Sequence, residues 1–274
     1  LLALGIVEYL DPDEINNTYI SNVIDDIYND VYTHYEIDPS LIVSVLANTN
    51  TFLKHYPSPR QVYSTGHLKQ AVSVYATNFR HRMDQTALVL ENGQKPISTT
   101  SFANSINRHC VYGYNIMLLI GAYSGYNQED AIVINKSAID RGLFRTSYYH
   151  TYQFAESSEN AYNAETKICN PKLIENVQIY NENYDYSKLD ENGIINETYL
   201  DEHGNKQSTE INDKTVLVGA ISIKYNKYHD ISIVAKDIHH GVVDKVVLLI
   251  NEKNSKLDII NKYTAKVLIR KIRI

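Results

Sequence analysis

Two groups of residues have the types and spacing to do chemistry. The first is the adjacent carboxylate pair Glu129 and Asp130, which follows a Ser-Gly-Tyr-Asn turn and stands between two apolar runs. Carboxylates set between core strands are costly unless they are paired, hydrogen-bonded or bound to a cation. Hard oxygens of this kind suit Mg2+, which takes one or two carboxylates together with substrate phosphates. The alternatives are carboxylates that cap the turn, or ion pairs to Arg141 or Arg145. Side chains adjacent on a strand point to opposite faces, so at most one of the two would face a given metal. The second group is basic. Residues 54–83 hold Lys54, Arg60, Lys69, Arg80 and Arg82, three histidines and no acid. Interleaved with Gln61, Gln70, Asn78, Tyr63, Tyr75 and Phe79, these bases have the make-up of a surface that tracks a phosphate backbone. The competing reading is a solvated helix face.

The distribution of charge matters more than its total. The net charge of −6 over 274 residues argues, taken alone, against a nucleic-acid binder. Yet Leu1–Leu53 has nine acids and no Lys or Arg, whereas the basic block carries five positive charges and residues 245–274 have eight bases against two acids. Hydrophobic content of 43% is that of a folded chain, which excludes collagen-like and wholly disordered classes. Two cysteines, Cys110 and Cys169, supply neither a four-cysteine zinc site nor a disulfide framework, and imply a reducing compartment. No apolar run reaches the length of a membrane span, and the start lacks the basic segment of a signal peptide. The chain begins without Met, and its last strand pattern runs to Ile274 with no stop signal, so a piece of a longer protein is expected.

The elements that must position these groups follow from pattern. Gly5–Leu10 reads as a strand, and His55–Arg60, crowded by Pro57 and Pro59, as an extended loop. Leu68–Asn78 is expected to be a short helix. Val111–Tyr123 and Ala131–Asn135 are expected to be buried strands flanking the Glu129–Asp130 turn. Ser137 is the expected cap of a short helix that Gly142 closes. Residues 155–213, rich in Asn, Asp, Glu and Tyr, read as a surface excursion with turns at Glu191–Gly193 and His203–Asn205. Strand patterns return at 215–224, 231–235, 242–250 and 265–274. In the last, Val267 and Ile269 alternate with Lys266 and Arg270, the signature of a half-buried strand. The fold class is mixed α/β and β-rich.

Several stretches, in order along the chain, carry a resemblance. They are Gly5-Ile-Val-Glu-Tyr-Leu-Asp11, Thr33-His-Tyr-Glu-Ile-Asp-Pro-Ser40, Ser58-Pro-Arg60 with Tyr63 and Lys69-Gln-Ala71, and Gln94-Lys-Pro96. The strongest is Tyr123-Ser-Gly-Tyr-Asn-Gln-Glu-Asp130 with Ile134-Asn-Lys-Ser-Ala-Ile-Asp-Arg-Gly-Leu-Phe-Arg145; His239-His-Gly-Val-Val-Asp244 follows. Together they closely resemble the second-largest subunit of multisubunit DNA-dependent RNA polymerases, in its eukaryotic, archaeal and large-DNA-virus form.

The resemblance implies a partial double-psi β-barrel, its hybrid-binding segment at about 36–147, with an inserted β-rich wall or flap domain at about 148–264. Residues 1–35 would end a preceding external region, and 265–274 would re-enter the barrel. It further implies that Asp130, with Glu129 beside it, helps hold the Mg2+ that arrives with the nucleotide. Arg60 would approach the nucleotide phosphates, and Lys69 and Gln70 would line the RNA–DNA hybrid. Tyr63 would join them, or else be a packing tyrosine. Implied partners are the largest polymerase subunit, which bears an Asp triad, the other subunits, DNA template and nucleoside triphosphates. The implied location is intracellular, in nucleus or cytoplasm, or in a viral factory. Neither that triad nor the family's Gly-Asp-Lys-Phe lysine motif occurs in this chain, and Pro57 stands where the family has a polar Gln. The fragment alone is therefore expected to be inactive. A non-catalytic scaffold or decayed fragment is the alternative; a free-standing Mg2+ nuclease has only Glu129 and Asp130 behind it. His239 and His240 lack zinc spacing and read as structural.

Overall fold

The computed structural model describes residues 1–106, 110–157, 164–201, 203–225, 227–236, 240–254 and 259–274. The chain divides into two units, Leu1–Ala71 with Pro96–His109, and Val72–Lys95 with Cys110–Ile274.

In the first unit short turns outweigh regular structure, and its acids explain why. Asp11 caps helix α1 (Pro12–Ile15): its side chain accepts from the Glu14 amide at 2.8 Å while Glu14 accepts from the Asp11 amide at 3.1 Å. Asp26 accepts from the Ser21 hydroxyl at 2.7 Å, next to a two-residue parallel pair of β1 (Ile20–Ser21) and β2 (His34–Tyr35). Asp38 caps the turn Pro39–Ile42, and its bonds from Ser40 hold its pKa below the usual value. Buried Asn48 donates to the Ser40 carbonyl at 2.8 Å, and its own carbonyl accepts from Thr100, which in turn starts α3 (Ser101–Ile106). Between them lies the longest helix of the unit, α2 (Ser58–Gln70).

The second unit is built of open sheets. A five-stranded sheet runs β3 (Thr86–Leu90), β4 (Thr146–Ala155), β15 (Ile259–Arg273), β14 (Gly241–Asn254), β9 (Glu210–Ile211), with every neighbouring pair antiparallel. A four-stranded sheet orders β5 (Glu165–Ile168), β11 (Ala220–Lys224), β12 (Lys227–Asp230) and β6 (Val177–Gln178). Two smaller pairs are β7 (Thr198–Leu200) with β8 (Lys206–Ser208), and β10 (Val216–Val218) with β13 (Ile233–Val234). Among the described residues no sheet closes into a barrel. The core gathers Val216, Leu217, Val218, Val243, Val267 and Ile269, all at 2% exposure or less. One carboxylate, Asp230, is buried beside it. It accepts from the Tyr186 hydroxyl, from Ser232 Oγ at 2.5 Å and from the Ser232 amide at 3.0 Å, and burial and this neighbour push the Tyr186 pKa far up.

Several expectations are corrected. Helix α2 occupies 58–70, not 68–78: Pro59 sits in its first turn, where the missing N–H costs nothing, so the prolines start the helix instead of prolonging a loop. Gly5–Leu10 and Ala131–Asn135 form no strand, because no described segment pairs with them. Nor is Val111–Tyr123 a buried strand: Met117 is 99% exposed and Ile120 90%, for no described element covers them. Residues 155–213 are no mere excursion. Ala164, Tyr186, Leu189, Ile194, Ile195 and Ile211 are buried, although Leu173, Tyr180, Tyr199 and Leu200 are exposed. The cap of α4 (Lys136–Asp140) is Asn135, which accepts from the Ala138 amide at 3.1 Å, not Ser137. Gly142 does close it, with the Gly142 amide on Ile139 and the Leu143 amide on Ala138.

The turn at Gly193 serves a close approach. Cys169 passes between two glycines: a Cβ on Gly193 would meet the Cys169 carbonyl carbon at 2.2 Å, and one on Gly219 the carbonyl oxygen at 2.4 Å. Two results are expected. Gly219→Ala, which forces backbone against backbone, lowers stability by about 2–4 kcal/mol in urea unfolding of the chain. Burial raises the Cys169 thiol from 9.0 to about 11, so at pH 8 the folded chain holds less thiolate than the unfolded one. Iodoacetamide should then label Cys169 about 100-fold more slowly in the folded chain than in urea. The same shift favours folding below pH 9 and fades as pH rises through about 11.

Candidate nucleotide and nucleic-acid interface

Helix α2 turns one side inward and leaves the other open. Gln61, Ser64, Thr65 and Leu68 form the half-buried side. Gln61 Nε2 donates to the Leu53 carbonyl and, at 3.3 Å, to that of Tyr56, while Ser64 Oγ donates to Asn50 at 2.8 Å. These bonds fix the rotation of the helix. Arg60, Tyr63, His67 and Gln70, at helical spacing i, i+3, i+7 and i+10, then share the exposed side. The stripe runs about 15 Å along the axis. Lys69 is exposed too, but a different flank of the helix carries it, beside Val62. Among the described residues neither Arg60 nor Lys69 has an anionic partner. Tyr63, 56% exposed, is not a buried packing residue.

The carboxylate pair lies in the second unit, in a turn held by one side chain. Asn127 Oδ1 accepts from the Tyr123 amide at 2.9 Å, and its Nδ2 donates to the Gly121 carbonyl at 2.6 Å. The Tyr126 amide closes on Tyr123 at 2.9 Å. Three residues have positive φ: Ser124 at 51°, Gly125 at 78° and Glu129 at 56°. For Ser124 and Glu129 this costs about 1–2 kcal/mol each. Because Glu129 is left-handed, the strand alternation expected of the pair does not hold.

The environment differs from expectation as well. Glu129 and Asp130 are exposed, not wedged between core strands. Neither ion-pairs with Arg141 or Arg145; Arg145 approaches Glu91 at 4.0 Å instead. The test for Mg2+ rests on this donor set: two hard, unengaged carboxylates open to solvent. They fit an ion that draws most of its ligands from phosphates and from other protein surfaces. They do not form a self-sufficient site, since among the described residues no three His, Cys, Asp or Glu gather around one point. His240 is half-buried, and His239 lies outside the described residues. Among the described residues no helix is long and apolar enough to cross a membrane.

Residues 46–274 match the family described as RNA polymerase Rpb2, domain 6. The chain belongs to that family. Among relatives, it is 32% identical over its whole length to DNA-directed RNA polymerase II subunit 2 of Arabidopsis thaliana, covering 23% of that protein. It is 35% identical over 90% of its length to subunit RPB2 of Encephalitozoon cuniculi, covering 22%. It is 30% identical over its whole length to DNA-directed RNA polymerase subunit Rpo2 of Sulfolobus acidocaldarius, covering 24%. The chain thus spans about a quarter of the length of these relatives. All six candidate residues, Arg60, Tyr63, Lys69, Gln70, Glu129 and Asp130, lie within the span matched to the Rpb2 domain 6 family.

Sequence reasoning missed two contributors. His67 becomes a member of the Arg60 stripe once the helix start is placed at Ser58, and Pro59 in the first turn was the available signal. Asn127 acts through the backbone, and an Asn four residues after the Tyr it caps has no separate signature. Asn127→Ala should leave the Tyr123 amide unbonded. In hydrogen exchange of the chain, that amide should exchange about fivefold or more faster, the loss set by one hydrogen bond of about 1 kcal/mol.

Proposed function

We propose that the chain is part of the catalytic core of a multisubunit DNA-directed RNA polymerase, an intracellular nucleotidyltransferase that copies a DNA template. Its residues 36–147 are assigned to the hybrid-binding segment of a double-psi barrel completed by chain outside these residues. Residues 148–264 are assigned to the wall domain, 265–274 to the strand that returns to the barrel, and 1–35 to the region before it. The largest subunit, with its Asp triad, supplies the other half of the metal site.

In this reading Asp130 offers its carboxylate to the nucleotide-borne Mg2+, with Glu129 adding negative potential beside it. When bound, Mg2+ neutralises the triphosphate and the leaving pyrophosphate. Arg60 binds the nucleotide phosphates with a planar fork that keeps its charge at every relevant pH. Tyr63 and Gln70, one and three turns along the same stripe, and Lys69 on the adjoining flank contact hybrid backbone without reading sequence. Such contacts suit an enzyme that must accept every template.

The observation that carries the reading is the state of Asp130. It lies within the family match, open to solvent, and free of any cation among the described residues. Asp130 is thus not spent on a cap or an ion pair as Asp11 and Asp84 are, and the family resemblance of its turn, Tyr123–Asp130, sets it apart from other solvated acids such as Glu175. The test is Asp130→Ala in the assembled polymerase. Nucleotide addition should slow by about 100-fold or more, the scale of losing one charge-stabilising group, while subunit assembly is retained. Wild-type elongation by that variant would sink the assignment.

A further inference from the structure

The five-stranded sheet has a second face, away from the core. On it Tyr149 of β4 stands opposite Arg270 of β15. Where β14 pairs with β15 the register shifts between Val243 and Lys245. Such a bulge re-aims a side chain, and here Asp244 accepts from Arg270 Nε at 3.0 Å. Over this row lie residues 72–82, anchored by the Leu90 amide on the Ser73 carbonyl at 3.2 Å and folded by successive turns through Phe79 and Arg82. The Phe79 ring reaches within 6.2 Å of the Tyr149 ring, tilted by 57°. Between cover and sheet is a cavity of about 560 Å³, lined among others by Phe79, Arg80, Glu91, Tyr149, Asp244 and Arg270.

The two arginines and two acids that line this cavity balance in number but not in pairing, because Arg270 engages one acid and Arg145, outside the lining, engages the other. Asp244 is engaged by Arg270, and Glu91 by the Ser147 hydroxyl at 2.5 Å and by Arg145 at 4.0 Å. Arg80 has no acidic partner among the described residues; its guanidinium lies 5.8 Å from the Phe79 ring centroid. Its neighbour in the basic block, Arg82, is by contrast neutralised by Asp84 at 2.9 and 3.1 Å. The cavity therefore offers one surplus guanidinium, two aromatic rings and carboxylate oxygens able to accept from hydroxyl or amino groups. A ligand that answers all three carries an anion, a flat ring and polar donors. Its volume lies within the range of small-molecule sites.

We propose that this cavity binds a nucleoside phosphate. Arg80 takes the phosphate, the base packs against the adjoining Phe79 and Tyr149 rings from the cavity side, and Glu91 and Asp244 accept from sugar or base donors. The Tyr149 hydroxyl stays protonated and able to donate, since burial above all, and then Asp244, raise its pKa. The nucleoside phosphate comes either from the free pool or from a nucleotide of a strand. No metal is involved, so the site is independent of Asp130.

The test is calorimetric titration of the 274-residue chain, in EDTA, with adenosine monophosphate, a tetranucleotide RNA, inorganic phosphate and free glutamate. Saturable one-site binding of adenosine monophosphate or the tetranucleotide is expected, and whichever binds more tightly identifies the source. Arg80→Ala and Phe79→Ala should each weaken it about tenfold or more, with Arg80→Lys between Arg80→Ala and the unmodified chain. Arg80 is exposed, so its variants should keep the melting temperature of the parent chain. Equal affinity in Arg80→Ala, no saturation by either nucleotide probe, or binding of phosphate or glutamate as tight as that of the nucleotide would each overturn the proposal.

Discussion

The second unit depends on one strand being paired along both edges. β15 matches β4 residue for residue from Thr264 with Ala155 to Arg273 with Thr146, and on its other edge pairs β14 from Arg270 to Ile259. Between Thr264 and Arg270, where both edges are paired, its backbone can be buried, and Ala265, Val267, Leu268 and Ile269 are at 2% exposure or less. A central strand of this kind joins segments far apart in the chain, so loop closure must precede its reward. What it gives in return is a rigid floor. Tyr149, Arg270 and Asp244 keep their relation because the ladder, not their own contacts, sets it. The register shift at Asp244 then does what a regular ladder cannot, turning one extra side chain toward the Arg270 guanidinium.

The legible parts of the fold are those where pattern and partner coincide. Over 265–270 the pattern follows because one side of β15, with Ala265, Val267 and Ile269, meets the core, while the other carries Lys266 and Arg270; Leu268, buried on that second side, interrupts it. Val111–Tyr123 shows the opposite case. Its apolar run has the pattern of a buried strand, but hydrophobicity does not encode which element would cover it. Met117 and Ile120 are exposed, and no described element covers them. The start of helix α2 is ambiguous in the sequence for a local reason. Proline both interrupts a helix and begins one, and only position relative to the first turn separates the two. The candidate residues themselves were legible by type and by resemblance, while their setting was not. Glu129 and Asp130 stand in an exposed turn with a left-handed residue, a geometry that no hydrophobic period encodes.

The two kinds of acid in this chain show how charge is divided between folding and chemistry. Asp11, Asp26 and Asp38 spend their oxygens on amides and hydroxyls within five residues, so they shape turns and have little left to offer a ligand. Asp230 goes further and is buried, tolerable because Tyr186 and Ser232 donate to it. Glu129 and Asp130 do neither. The same division runs through the bases: Arg82 and Arg270 are paired, whereas Arg60, Lys69 and Arg80 are not. An exposed ion in water pays no desolvation cost, so such groups add nothing to stability and lose nothing by waiting.

That division bears on why the carboxylate turn is built from strain and one asparagine instead of from packing. A lone pair of carboxylates binds Mg2+ weakly, because the ion keeps its water unless several ligands arrive together. Under the proposed function the site is completed by another subunit and by the nucleotide, and its ligands come in as the complex forms. A turn held by Asn127, with Ser124 and Glu129 in left-handed conformations, fixes the backbone while leaving both carboxylates unengaged. Pairing them with Arg141 or Arg145 would have steadied the turn and also neutralised the charge that the proposed metal role calls for. Local strain of a few kcal/mol is thus the condition for leaving Asp130 available.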